Sequence, residues 1–400
     1  MPDRIEENPI CLNASTKPTS VELRVLLACA RPSPGLEIDS LLSESIEWNY
    51  LLKMASWHGI LGLLSRTLAK VPDKVPDSVR RFLAECESLI TRRNLLLSSE
   101  LLRISEALTN CGVRHLVYKG TVLSEYLYGS IALRTSSDID LLVRPEDRIA
   151  AIACLEQLGF SETYGLSPYR KAAAIRFGFE HTFVRDGVNI DLHWHLVQQY
   201  AWNMSTGTIW NNTVPFTFMG RTVQIFSPEF TLASLCVHSA QHEWAHLKMF
   251  ADIARLISRN TDLNWDAIEA FVPDTHSKRS LKVALKLVHT NLNVTLPLDV
   301  LKRIDADKDV IRIAKAIQEK SWPSACDPVP SHLDFKWMLI RTEGEAPRDR
   351  LRYLCGTVFL PTLADFQAIP LPGPLHWLYF VLRPARILWQ RLAAVIRIHK

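Results

Sequence analysis

The chain has 400 residues, more than one ordinary domain, and its 48% hydrophobic and 22% charged content is too apolar for a disordered state. Forty-six Lys and Arg against 42 Asp and Glu leave +4, too little for a protein that coats nucleic acid along its whole length. Eight scattered cysteines without a CxxC pair exclude a zinc ribbon, an iron–sulfur cluster and a disulfide framework, and fit reduced thiols in the cytoplasm. The start, MPDRIEENPICLN, does not read as a signal peptide. No uncharged apolar run of about 20 residues predicts a spanning helix; the nearest, 366–382, is interrupted by Pro370, Pro372 and Pro374.

Residues 1–38 mix Pro and Ser and read as a loosely held lead-in. Residues 39–111 have helical spacing, with Leu97, Leu101, Ile104 and Leu108 on one face and Asp73, Pro76 and Asp77 separating two helical pieces. From 112 to 226 the pattern is mixed α/β. VRHLVY (113–118) reads as a short buried strand, KG and TVLSEYLYG as a turn into a helix, SDIDLLVR (137–144) as a second strand, and Pro145 as the opening of another helix. FEHTFVR and VNIDLHWHL form a hairpin around Asp186-Gly187, and TVQIF (222–226) is a last strand. Ser227-Pro228 caps a helix, and helical spacing runs through a domain predicted to span 227–345. The tail, 346–400, holds eight Lys/Arg and two acids, a net +6 that leaves −2 on the rest of the chain.

The chemistry concentrates in Asp138-Ile139-Asp140. Strand alternation projects both carboxylates from one face while Ile139 and Leu141 point the other way. Paired carboxylates repel and call for a cation, and Mg²⁺ is the hard ion that prefers oxygen ligands and phosphates. Asp191, on a strand the hairpin can bring alongside, is a third acid. Three such acids predict a two-metal phosphoryl-transfer site with ions roughly 3.5–4 Å apart. The bland alternative is that the DID motif only ends a strand and is solvated. Gly120 ahead of Thr121 permits close backbone approach at a helix start, where N–H groups can hold a phosphate, and Arg134 can neutralise the same phosphates.

The order strand, glycine at a helix start, D-x-D and a later strand Asp resembles the DNA polymerase β-type nucleotidyltransferase superfamily. KGTVLSEYLYGSIALRTSSDIDLLV is similar to the head of CCA-adding enzymes. The KG…R…DIDLLV…DLHW pattern more closely resembles the bacterial uncharacterised nucleotidyltransferase family, over about residues 45–385. The resemblance implies an α+β fold with a polymerase β-like mixed-sheet core flanked by N-terminal and C-terminal helical regions. It implies that Gly120 and Thr121 contact triphosphate, with Lys119 beside them, and that Asp138, Asp140 and Asp191 are metal ligands. Gly129-Ser130 also precedes DID, but a whole helix must fit between phosphate loop and acids, which favours Gly120-Thr121. Lys119 replaces the second glycine of CCA-adding enzymes and agrees with the closer family.

His193 and His195 follow Asp191 at alternating spacing, so both are expected on its face, with His181 on the partner strand. Each is a candidate for orienting an acceptor or bonding to the acids. His242-Glu243-Trp244-Ala245-His246 matches H-E-x-x-H, the zinc metallopeptidase signature, without the usual third-ligand pattern after it. In the resembled family a histidine-containing helix followed by Asp252-Ile253-Ala254 occupies this place without zinc chemistry, and Asp252 is a candidate for the cleft. In the tail, Arg383, Arg386, Arg391 and Arg397 interleave with Trp377, Tyr379 and Trp389. That pattern suits an anionic membrane surface or RNA, or aromatics packed on the body with the arginines solvated.

The resulting expectation is a cytoplasmic nucleotidyltransferase. Two Mg²⁺, or Mn²⁺ in their place, would align an acceptor on the α-phosphate of an NTP, and pyrophosphate would leave. The acceptor class stays open between small molecule, protein and RNA. The alternatives are an inactive nucleotide-binding or regulatory protein of the same fold and a zinc hydrolase using the HEWAH segment.

Overall fold

The computed structural model describes residues 20–33, 35, 37–163, 167–320, 322 and 347–398, with backbone alone at 320 and 390–398. The chain begins with helices α1 (Val21–Ala30), α2 (Glu37–Leu41), α3 (Trp48–Trp57) and α4 (Leu61–Leu68). The long α5 (Asp77–Asn110) follows. Part of the stretch read as a lead-in is therefore packed structure. Ser20 caps α1 by accepting from the Leu23 N–H, and Leu23, Val25 and Leu26 are buried.

The mixed region comprises β1 (His115–Val117), α6 (Gly120–Tyr128), β2 (Asp138–Val143), α7 (Arg148–Gln157), β3 (Ser161–Glu162) and α8 (Pro168–Phe177). The hairpin β4 (Glu180–Arg185) and β5 (Val188–His193) comes next. Asp186 and Gly187 both have positive φ, the backbone that a two-residue hairpin turn requires. These strands form one mixed sheet in the order β1-β2-β5-β4-β3. Its centre is a parallel pair, β2 on β5, and every other pair is antiparallel. After α9 (Thr206–Asn211), β6 (Thr213–Phe218) and β7 (Arg221–Phe226) make a separate two-stranded sheet beside β1. The expected strand at 222–226 is thus the return half of a hairpin.

Ser227 caps α10 (Pro228–Gln241), followed by α11 (Leu247–Arg259), α12 (Trp265–Ala270), α13 (Thr275–Leu292), α14 (Leu298–Asp305) and α15 (Lys308–Lys320). The last described part holds α16 (Pro347–Phe359), α17 (Leu363–Ala368) and α18 (Tyr379–Ile398).

Two cores result. The back of the sheet, with Ile139, Leu141, Ile190, Leu192 and Phe183, packs on α7 and on the predicted Leu97, Leu101, Ile104 and Leu108 stripe of α5. The other core joins α1, α3 and α4 to α10, α11 and α13. The helices before and after the sheet therefore share one interior, which their separation in sequence hides. The carboxylate-bearing front of the sheet faces that helical body.

The tail reverses one expectation. Arg383 and Arg386 turn inward onto Asp365, whereas Trp377 and Trp389 face solvent. Asp365 belongs to the capping box of α17, so it is a fixed, buried anion that draws in both guanidinium groups. The side chains of Arg391 and Arg397 lie outside the described residues.

Candidate active site

Parallel register places Asp140 opposite Asp191 and Asp138 opposite Asn189. Residues paired this way share a face, so the three acids project together from two adjacent strands. Ligand atoms of Asp140, Asp191 and His193 lie within 4.8 Å of one another. Asp138 shares the face, and its Oδ2 accepts from the Ser137 hydroxyl at 2.9 Å. Two carboxylates and an imidazole converging on one point, with a third carboxylate alongside, form an oxygen-rich donor set that fits Mg²⁺ or Mn²⁺.

The electrostatics agree with that fit. Burial raises the Asp138 carboxyl and neighbouring Asp140 raises it further. Burial also raises Asp191, partly offset by the Thr182 hydroxyl, which donates to Asp191 Oδ1 at 2.7 Å. Asp140 is the exception. Burial opposes its ionisation, but Lys119 and the His193 bond outweigh burial and hold it below the usual carboxylate range. Lys119 Nζ donates to Asp140 Oδ1 at 3.5 Å, and His193 Nε2 meets the same oxygen at 3.3 Å. A front face that carries more acid than its neighbouring cations neutralise is a cation-binding surface.

Gly120 sits at the start of α6 with φ +64°. A Cβ there would stand 3.5 Å from the Asp138 carbonyl, so backbone conformation, not space, demands glycine. Thr121 is buried in the first turn. Arg134 turns to protein partners. Its Nε donates to Asp252 Oδ2 at 2.8 Å and its Nη1 to the Gly120 carbonyl at 3.4 Å. Asp252 also accepts from the Tyr128 hydroxyl at 2.9 Å. Asp252 thus anchors the glycine turn from behind, through Arg134.

Two histidines leave the site. His181 pairs with Leu192, not Asp191, so alternation sends it to the opposite face, where it bonds to Glu162 at 3.1 Å. His195 lies past the end of β5. The N–H groups of Trp194 and His195 both donate to the Phe179 carbonyl, which breaks the alternation, and the His195 ring rests against Gln199. The HEWAH segment is not a helix either. α10 stops at Gln241, and Glu243 and Trp244 have φ of 55° and 54°. Trp244 is fully buried and His246 Nδ1 bonds to the Trp57 carbonyl, so the i, i+4 zinc geometry does not form.

Sequence reading missed Glu180, Tyr118 and Lys248. Glu180 pairs with His193 across β4–β5, and its Oε2 lies 3.1 Å from Nδ1, off the line of a good hydrogen bond. Tyr118 sets its ring edge-on to His193, 5.4 Å between centroids. Lys248 is half-buried at the start of α11, where burial and then Arg134 lower its pKa against the opposing pull of Asp252, Asp138 and Asp140. The alternation of Glu180 with Thr182 was a usable signal. Lys248 offered none, because its approach depends on how the helical body docks. A cleft of about 210 Å³ opens beside β4, lined by Phe179, Glu180, Thr182, Gln198, Leu363 and Phe366.

A family model described as an uncharacterised nucleotidyltransferase matches residues 44–293, more than half of the chain. No curated protein matches. Two solved structures are similar to it at 16% identity. One is the solution structure of the antibiotic-resistance factor ANT(2″)-Ia, covering 49% of this chain and 98% of that chain with a TM-score of 0.33. The other is an antigenic nucleotidyltransferase-like protein from Paracoccidioides brasiliensis, covering 52% and 96%, also at 0.33.

Proposed function

The chain belongs to the uncharacterised nucleotidyltransferase family, and from that premise we propose that it moves an NMP group from an NTP to an acceptor with release of pyrophosphate. The observation that carries this reading is the in-register placement of Asp140 and Asp191, with Asp138 on the same face and the Gly120 turn beside them.

Asp138, Asp140 and Asp191, with His193 at their side, would hold divalent ions. Such ions, when bound, neutralise phosphate charge and lower the pKa of an attacking oxygen. The protein's own groups do the positioning. The glycine turn at Gly120, with no side chain on it, lets phosphate oxygens approach the start of α6. Lys119, held over the Tyr118 ring at 4.7 Å, and Lys248 supply positive charge where pyrophosphate departs. Arg134 acts through the Gly120 carbonyl that it holds. The acceptor enters by the cleft beside β4, where the Thr182 hydroxyl orients Asp191. Asp191 takes the acceptor hydroxyl proton. The cysteines, all free thiols among the described residues, support a cytoplasmic setting.

The test is incubation of purified protein with each α-labelled NTP, Mg²⁺ and cell extract, with identification of the labelled product. Transfer should require both Asp138 and Asp140. Retained transfer in Asp138→Ala or Asp140→Ala would overturn the assignment. Mg²⁺-dependent NTP binding without pyrophosphate release against any acceptor would instead mark a nucleotide-binding protein.

A further inference from the structure

The C-terminal helices lie beyond the segment that the family model matches, and their exposed surface is unlike that of a water-facing helix pair. Between 379 and 389, every exposed position of α18 is apolar: Val381, Ala385, Leu388 and Trp389. Trp389 is 72% exposed, Val381 62% and Leu388 60%, and Trp377 just before the helix is 60% exposed. α16 presents a similar row, Leu351, Cys355 and Phe359. Contiguous exposed apolar rows of this size mark an interaction surface.

The opposite face of the same unit is already satisfied. Tyr379 is buried, its hydroxyl donates to the Ile369 carbonyl at 2.8 Å, and it packs with Phe366 against Ala173 and Ala174 of α8. Arg383 donates to the Thr357 carbonyl and the Asp365 carboxylate, both at 2.9 Å, which joins α18 to α16. The outward face is therefore fixed by inward contacts and is not free to roll under.

Charge selects the occupant. The tail holds two acids against eight Lys and Arg. Asp365 holds two arginines, and Asp349 accepts from Thr275. Arg348 and Arg350 remain exposed at the start of α16. The sequence of 346–400 as a whole carries a net +6. An apolar face with exposed arginines at its edge, in a segment of net positive charge, matches an anionic lipid leaflet, whose interface accepts Trp and whose charge attracts arginine. A second copy of this chain would bring those like charges together. No described helix is long and apolar enough to cross a membrane. We infer that the α16–α18 face docks this protein on an anionic membrane surface, with the apolar residues in the headgroup region.

The experiment is co-sedimentation of the full chain with vesicles of phosphatidylcholine alone and of phosphatidylcholine mixed with phosphatidylserine. Binding should be about tenfold stronger with phosphatidylserine and should weaken as salt rises. It should fall about tenfold in Trp377→Ser/Trp389→Ser. Val381→Glu/Leu388→Glu, a second pair at exposed positions, should abolish it while the melting temperature and NTP binding stay unchanged. Equal binding to both vesicles, or none, overturns the proposal. So does a concentration-dependent dimer, seen by light scattering without vesicle binding and lost in the same variants, which would assign the face to a second copy.

Discussion

At the scale of single residues, the site is a balance between crowded acids and the groups that hold them. Burial and mutual repulsion already weigh on Asp138, so removing its charge relieves the fold while emptying the site of a ligand. Asp138→Asn should therefore lower pyrophosphate release by about a thousandfold without lowering the melting temperature. Asp252→Asn should behave in the opposite way. It breaks a buried ion pair and leaves Arg134 uncompensated, which costs about 3–5 kcal/mol, read as a fall in the urea midpoint. The acids were legible because alternation on a strand is a local property. The Arg134–Asp252 partnership spans 118 residues, and nothing in either neighbourhood announces it. Alternation also misplaced His195, since it does not tell where the strand ends, and His181 left the site because the register of β4 on β5 pairs it with Leu192.

At the scale of elements, α6 carries glycine at both ends in left-handed backbone, Gly120 at φ +64° and Gly129 at φ +65°. Their roles differ, and one comparison separates them. Alanine at either position should cost about 1–2 kcal/mol of stability, because neither site is crowded within 3.4 Å. Only Gly120→Ala should also raise the KM for NTP, because only that turn faces the acids. Steady-state kinetics on both variants checks this. The HEWAH segment shows how a motif fails at this scale. The residue types match, but burying Trp244, whose carbonyl accepts from Trp322 Nε1 at 3.0 Å, requires the chain to leave the helix there. Helix periodicity along α5, by contrast, was readable because Leu97 to Leu108 repeat within one uninterrupted segment.

At the scale of the whole molecule, His58 ties the first helices to the helical body that follows the sheets. Its Nδ1 accepts from the Leu247 N–H at 3.4 Å, which leaves Nε2 to donate to the Trp322 carbonyl at 3.1 Å. That arrangement requires the neutral ring, and burial pushes the His58 pKa down to about 4. Burial, aided by Arg279 and Arg352, pushes His276 down to about 3. In the unfolded chain both take up protons near pH 6.5, and in the folded protein they do not. The folded state is thus fully favoured above about pH 6.5 and loses about 1.4 kcal/mol per pH unit for each histidine as pH falls toward those folded values. Melting curves from pH 7.5 to 5 should show this loss, and His58→Gln should flatten the slope.

Composition, helical stripes, the hairpin turn and the D-x-D strand were all determined by the sequence alone, because each depends on residues a few positions apart. Only the tertiary structure decided the parallel pairing that sets Asp191 beside Asp140, the single core shared by helices from both ends, and the reversal of arginines and tryptophans in the tail. Those outcomes come from the docking of distant surfaces, where one register or one buried acid such as Asp365 chooses among faces that local pattern leaves equivalent.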